Sequence, residues 1–319
     1  MSIRRSIVAL AVIALVAATP RAGFTQSTPA LRVAANLSDA YAEAYYAQDA
    51  GFFSGNGLTV ELTSFASAPA ITEAVTSGSL DIGVATVLSL AQAVSHGIPL
   101  TIIAAGGVTS PATPATTLCI AGDSVIRTAK DLEGKTVAVI GLKTISEVAV
   151  DAWLEKGHAD ISKVRVIEMP FPQMGPALER GTIAAAVLSD PSLSQAKLNN
   201  HVRELASTSA AIAPRYLSSA WFTTIPFAEK NPDVVQRFVK AIYEAGRWAN
   251  VNHDKSLAIL AKYAKVDVDT FNKNNRIQFA SSLDAADLTP QLNLALKFGA
   301  LSRSVTASEL TTRPAQRRQ

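Results

Sequence analysis

The sequence predicts an α/β protein of two lobes, each a mostly parallel sheet flanked by helices, joined by a two-segment hinge. Three observations carry this. From Leu31 onward, short runs rich in Val, Ile and Leu alternate with helical patterns, and the runs are not strictly apolar–polar, so both faces of their sheets are covered. The alternation stops at Val108–Thr116 and then restarts, which marks a second set of strand–helix units. A late apolar run, Ala220–Ile225, follows an irregular stretch and returns the chain to the first set.

The chain begins with MSIRRSIVALAVIALVAA. Arg4 and Arg5 precede an unbroken apolar run, Ile7–Ala18, with small residues at its end, the order of a secretory signal peptide. The run has 12 residues, whereas a spanning helix needs about 20. Residues 1–27 are therefore expected to be a cleaved export signal, and the product to be free in a periplasm.

Lobe one is expected over 28–110 and 219–305. Its strands are Leu31–Ala35, Leu58–Phe65, Leu80–Ala85 and Leu100–Ala105, with helices Tyr41–Phe53, Ala70–Ser77 and Val87–Ser95 between them. Val108–Thr116, VTSPATPAT, has the prolines and hydroxyl residues of a crossing segment. Lobe two is expected over 111–218, with strands Leu118–Ala121, Thr136–Ile140, Val164–Glu168, Ile183–Leu188 and Val202–Ala206 and helices Glu147–Lys156 and Met174–Arg180. Ser207–Ser219 is the second crossing, small and irregular in composition. The return strand is followed by helices. Asn231-Pro232-Asp233 supplies a capping residue, a proline at the first helical position and an acid in the first turn. Val235, Phe238, Val239, Ile242 and Tyr243 then keep helical spacing, and Ser256–Tyr263 and Pro290–Ala300 continue the pattern. Residues 306–319 read as a polar tail.

Composition excludes several classes. Of 319 residues, 48% are hydrophobic and 17% charged, which is ample apolar material for packed cores. The formal charge of +3 comes from the ends. With Arg4, Arg5, Arg21, Arg313, Arg317 and Arg318 set aside, residues 28–312 carry −3, which lacks the basic balance of a nucleic-acid binder. The single Cys119 rules out an internal disulfide framework and a four-cysteine zinc site. His96, His158, His201 and His253 have no metal-ligand spacing. Gly134-Lys135-Thr136 ends like a phosphate-binding loop, but position 129 is Ala and the segment precedes a strand, so it reads as a turn. No nucleophile, base and orienter come together. No cofactor and no metal are expected.

Four stretches taken in order resemble a known family. They are AQDAGFFSGNGLTVEL (Ala47–Leu62), VTSGSLDIG (Val75–Gly83), DLEGKTVAV (Asp131–Val139) and NPDVVQRFVKAIYEAGRW (Asn231–Trp248). Over about residues 29–302 the chain resembles the periplasmic substrate-binding proteins of ABC importers, in the group that takes sulfonates, nitrate, taurine and pyrimidine precursors. The resemblance implies a two-lobed periplasmic binding protein-like fold that closes on a small organic anion and delivers it to a membrane permease, as a monomer without enzymatic activity. The runner-up is an enzyme on the same scaffold, acting on a small organic acid or pyrimidine precursor. A ligand-binding sensor is a third reading.

Ligands of such sheets gather at the carboxyl ends of the strands. The residues that follow each strand are therefore the candidates. In lobe one these are Asn36, Ser38, Tyr41, Phe65, Ser67 and Thr86. In lobe two they are Lys143, Thr144, Ser146, Phe171, Gln173 and Asp190. Trp221 lies on the return strand. Ser38, Ser67, Thr86 and Asp190 also sit where helices begin, so capping alone would account for them. Thr144-Ile145-Ser146-Glu147 matches a capping box, yet a helix N-terminus is equally an anion site and Lys143 adds a charge beside it. Glu147 counts against that site, because its carboxylate would compete for the same N–H groups. Phe65, Phe171 and Trp221 are either core or ligand platforms.

Overall fold

The computed structural model describes residues 30–65, 68–114, 116–190, 192–270 and 276–311. The export segment 1–27, Ser67 and the chain from 312 onward lie outside the described residues.

The first strand–helix set comprises β1 (Leu31–Ala35), α1 (Glu43–Asp49), α2 (Phe52–Gly55), β2 (Val60–Ser64), α3 (Ala68–Thr76), β3 (Ile82–Ala85), α4 (Val87–Ser95), β4 (Leu100–Ala105) and β5 (Gly107–Thr109). The second comprises β6 (Thr117–Ala121), β7 (Thr136–Val139), α5 (Ile145–Lys156), β8 (Arg165–Glu168), α6 (Phe171–Glu179), β9 (Ala185–Leu188), α7 (Ser192–Asn199), β10 (Val202–Ala206), α8 (Ser209–Ile212) and β11 (Tyr216–Leu217). The chain then continues through β12 (Ala220–Thr224), α9 (Ile225–Lys230), α10 (Pro232–Val251), α11 (His253–Ala264), β13 (Gln278–Phe279), α12 (Thr289–Lys297) and α13 (Ala307–Thr311).

Two five-stranded sheets result, in the orders β2-β1-β3-β12-β4 and β10-β6-β9-β7-β8. Each has four strands in one direction and one against them, β12 in the first unit and β6 in the second. The odd strand is in each case the one that enters from the other unit. It starts at the edge where its neighbours end, so it must run back against them. Ala220 accordingly pairs with Ala85 and Ala105, and Thr117 with Leu188. The carboxyl ends of the four co-directed strands in each sheet thus adjoin the same two connections, 106–116 and 207–219.

Both faces of each sheet are buried, as the uninterrupted apolar runs require. In the first unit, Ile71, Leu88, Phe222 and Leu292 fill one face, and Tyr45, Tyr46, Trp221, Phe238 and Ile242 the other. In the second, Leu118, Val137, Val150 and Leu154 fill one face, and Met174, Leu178, Leu188 and Leu193 the other. Gly83 lets α3 press onto β3, since a Cβ there would meet Ile71 Cγ2 at 2.4 Å.

Five expectations need correction. The helix read over Tyr41–Phe53 opens with a 3-10 turn, Asp39–Tyr41, and is broken by Gly51, whose φ of +80° ends α1 and starts α2. The irregular crossings contain strands, because β5 pairs antiparallel with both β11 and β13 to form a third small sheet. The expected tail begins with α13, which lies against β4 and buries Leu310. Asn231 does not cap α10. Its amide donates to Phe227 O at 3.1 Å, and Pro232 alone opens the helix. Finally, α5 starts two residues early, at Ile145. Among the described residues no helix is long and apolar enough to cross a membrane.

Candidate functional site at the crossing ends of the two sheets

On the first unit, β1 leads into a loop and the 3-10 turn Asp39–Tyr41. This turn is anchored from behind. Asp39 receives Arg276 Nε at 2.9 Å, Arg276 Nη2 at 2.7 Å and the Ile277 N–H at 2.9 Å, with Arg276 itself only 5% exposed. The bidentate pair fixes the turn, and the turn fixes Tyr41. Ser38 occupies the cap position, but its hydroxyl makes no capping bond. Tyr41 is half-buried, and its hydroxyl has no partner among the described residues. Dense surroundings push its phenol up to about 12 by burial. Asn36 donates to Phe65 O at 3.1 Å and so ties the exits of β1 and β2 together. Phe65 is half-buried and rests against the core beneath α3 and α4. Thr86 caps α4, accepting from the Ser89 N–H at 3.2 Å, as the capping alternative expects.

On the second unit, the loop after β7 does not form the expected capping box. Thr144 stands at the cap position of α5, but its hydroxyl donates to Gly141 O at 2.6 Å. Glu147 folds back onto the Lys143 N–H rather than that of Thr144. Lys143 is exposed and has a left-handed backbone, φ +56°. The first turns of α5 therefore carry their own anion, Glu147. Asp151 follows one turn on, its carboxyl raised to about 6 by burial and then by Glu147. The anion site expected at Lys143–Ser146 is thus already served by a protein carboxylate, which opposes a second negative charge there. Ser146 is buried, and its side chain makes no hydrogen bond among the described residues. Phe171 opens α6 half-buried against Met174 and its neighbours, and Gln173 is exposed. Asp190 divides its carboxylate. Oδ1 accepts from Ser194 N at 3.2 Å and Ser194 Oγ at 2.5 Å, whereas Oδ2 is buried without a partner among the described residues. It is both a cap and an unspent acceptor.

Trp221 is not at the site. It is fully buried on the outer face of β12, packed edge-on to Phe238 at 5.4 Å, and its indole N–H donates to Glu43 Oε2 at 2.7 Å. Burial raises the Glu43 carboxyl well above its ordinary range, against which the indole bond acts. Its Oε1 has no partner among the described residues, so the indole bond is what holds the group in the core.

Sequence reasoning missed the hydroxyls of the crossings. Thr109, Ser207 and Thr208 have buried side-chain oxygens without an aligned partner among the described residues. Tyr216, opposite Thr109 in the small sheet, is buried, which raises its phenol, while nearby Ser209 and Thr109 lower it. The richness of VTSPATPAT in Thr and Ser was the available signal. A separate open cavity of about 530 Å³ lies between α5 and α8, lined by Trp153, Lys156, Ser207, Ala210 and Ala211 among others. It flanks the C-terminal half of α5, away from Thr144, and so is not the region where the strand ends meet.

What this arrangement can do is bind. Asp190 Oδ2, just after β9, is an acceptor without a partner among the described residues, and no cluster among the described residues could hold a metal ion. The periplasmic aliphatic sulphonate binding protein SsuA from Escherichia coli has the same fold, with a TM-score of 0.76 at 20% identity over 90% of this chain and 93% of that one. The desulfurization enzyme DSZB shares it too, with a TM-score of 0.65 at 16% identity over 91% and 99% of the two chains. The scaffold, a periplasmic binding protein fold, therefore does not by itself separate capture from turnover. In sequence, the taurine-binding periplasmic protein of Escherichia coli (strain K12) is 25% identical over 257 residues, 78% of each chain. Residues 39–255 match the family described as NMT1/THI5 like, and with that match spanning more than half of its length the chain belongs to this family.

Proposed function

We propose that the chain is the extracytoplasmic solute-binding component of an ABC-type importer, and that it captures a small organic anion, a sulfonate or similar, between its two units without transforming it. The observation that carries this reading is a set of polar atoms without partners at the strand ends and in the connections between the units. Tyr41 Oη and Ser146 Oγ have no partner among the described residues, and Thr208 Oγ1 and Asp190 Oδ2 are buried without one among them. Buried polar groups left unmatched are costly, so a ligand that matches them is held firmly. Hydroxyls suit the oxygens of an oxyanion, and the free Asp190 oxygen suits a donor at the ligand's other end, such as an amine. Membership in the family and the likeness to named sulfonate- and taurine-binding proteins support the class of ligand.

In this reading, 28–110 and 219–305 form lobe one, 111–218 forms lobe two, and the connections 106–116 and 207–219 act as the hinge. The segment α13 extends lobe one. Residues 1–27 direct export and are removed, the mature chain works as a monomer in the periplasm, and its partner is a membrane permease. The enzyme reading has DSZB in its favour, but among the described residues nothing at the crossing ends pairs a nucleophile with a base.

A thermal-shift panel over sulfonates, carboxylates, nitrate and pyrimidines tests the ligand class. A matching ligand at 100 times its Kd adds about 2.7 kcal/mol of stability. Recovery of that ligand unchanged supports capture, and its conversion supports the enzyme.

A further inference from the structure

We propose that Gln92 is a positioning residue for the ligand site, holding the α5 loop of the second unit in shape from across the divide. This inference rests on the proposed function, in which the Ser146 hydroxyl of α5 is part of the ligand site. Gln92 lies on α4, in the first unit. Its Nε2 donates to the carbonyl of Lys143 at 2.8 Å and to the carbonyl of Ala300 at 3.1 Å. Lys143 belongs to the other unit, between β7 and α5, and its φ of +56° is left-handed, a conformation that side-chain-bearing residues rarely adopt.

Both polar groups of the Lys143 backbone are engaged, but from different sides. Its N–H is held within its own unit by Glu147, and its C=O is held by Gln92 alone among the described residues. The conformation at Lys143 sets the direction of the peptide that enters Thr144, and hence where the first turn of α5 presents Thr144 and Ser146. The rest of α5 is seated on the first unit too. Val148 is buried in the core cluster that contains Leu88 and Leu292, Ile145 packs on it, and Glu155 pairs with Lys297 of α12 at 2.5 Å.

The consequence is a coupling. When the units separate, the Gln92 bond is lost and Lys143 is left strained without its support. The loop then relaxes, and the hydroxyls it carries leave their places. When the units meet, the bond reforms and the wall is rebuilt. Gln92 touches no ligand in this scheme and acts only through Lys143.

The test uses the mature full-length chain and two readouts. Amide exchange across Lys143–Ser146 is measured without ligand, and affinity is measured with taurine and ethanesulfonate as probes. Gln92→Ala is expected to speed exchange of these amides by about tenfold while distant core amides are unchanged. It is expected to weaken either probe that binds by about fivefold, through faster release. Gln92→Glu, which turns a carboxylate toward two carbonyls, is expected to do more. The decisive variant is Lys143→Gly, because glycine adopts the left-handed conformation without strain. In the Lys143→Gly background, Gln92→Ala should have little further effect on exchange. Unaltered exchange in Gln92→Ala, or equal effects of Gln92→Ala with and without Gly at 143, overturns the proposal. Should neither probe bind the unaltered protein, the function proposed above fails on that count, while the exchange data still decide the role of Gln92.

Discussion

Tyr41, Asp190 and Glu43 are three polar side chains with three different accounts of their unmatched atoms. Tyr41 has an aromatic ring set by a rigid turn and a hydroxyl with no protein partner among the described residues. Tyr41→Phe should therefore leave the melting temperature unchanged and weaken ligand binding by about 1 kcal/mol, read by calorimetry. A lowered melting temperature with intact affinity would assign the hydroxyl to the fold instead. Asp190 keeps its capping bonds through Oδ1. Asp190→Asn should thus retain stability and selectively weaken a ligand that carries an amine, such as taurine, relative to an unsubstituted alkanesulfonate. Equal losses for both would argue against a donor at Oδ2. Glu43 is a matter of the core. Its carboxyl is raised well above its ordinary range, mainly by burial, so the folded state holds this proton more tightly than the unfolded chain does. The stability it contributes is full below the ordinary carboxyl range and is lost as pH rises toward the folded value. Glu43→Gln keeps an oxygen for the Trp221 indole and removes that loss. Denaturant melts from pH 4 to pH 9 should be flatter for Glu43→Gln than for the native chain, and parallel curves would show that Glu43 does not titrate.

At the scale of elements, the turn after β1 shows how a site is held by groups that never touch a ligand. The Asp39–Arg276 pair joins that turn to the segment before β13, with Tyr46, Ser256 and the His253 carbonyl completing the contacts of the guanidinium. Asp39→Ala would leave Arg276 buried and unpaired, a change that costs about 3–5 kcal/mol. Urea unfolding should show this loss together with weaker binding, because Tyr41 moves with its turn. A loss below 1 kcal/mol would mean that the guanidinium finds water.

Much at this scale was legible in the sequence. Leu31–Ala35, Leu100–Ala105, Val202–Ala206 and Val87–Ser95 form residue for residue as read, because each is a short segment with a clear apolar pattern bounded by turn or capping residues. The small third sheet was not legible. Its strands have two or three residues each and pair across more than 100 positions, so no local pattern announces them. Trp221 was misjudged because a run such as AWFTTI is apolar on both faces and does not say which way its indole turns. The left-handed backbone of Lys143 was equally hidden, since it depends on Gln92 and Glu147 and not on the residue itself.

The molecule as a whole is two sheets whose carboxyl ends meet through two connections, with α12 and α5 packed across the junction. A ligand that touches both units favours their closed arrangement by its differential affinity for it. The polar atoms left unmatched there give the ligand something to satisfy from both sides. The most direct measurement is a calorimetric titration of the mature chain with taurine and short alkanesulfonates, followed by recovery of the ligand. The account predicts saturable binding of at least one of them at one per chain, with the ligand recovered intact and affinity reduced in Tyr41→Phe. No heat from any of them at millimolar concentration, or a ligand that comes back chemically changed, would contradict it.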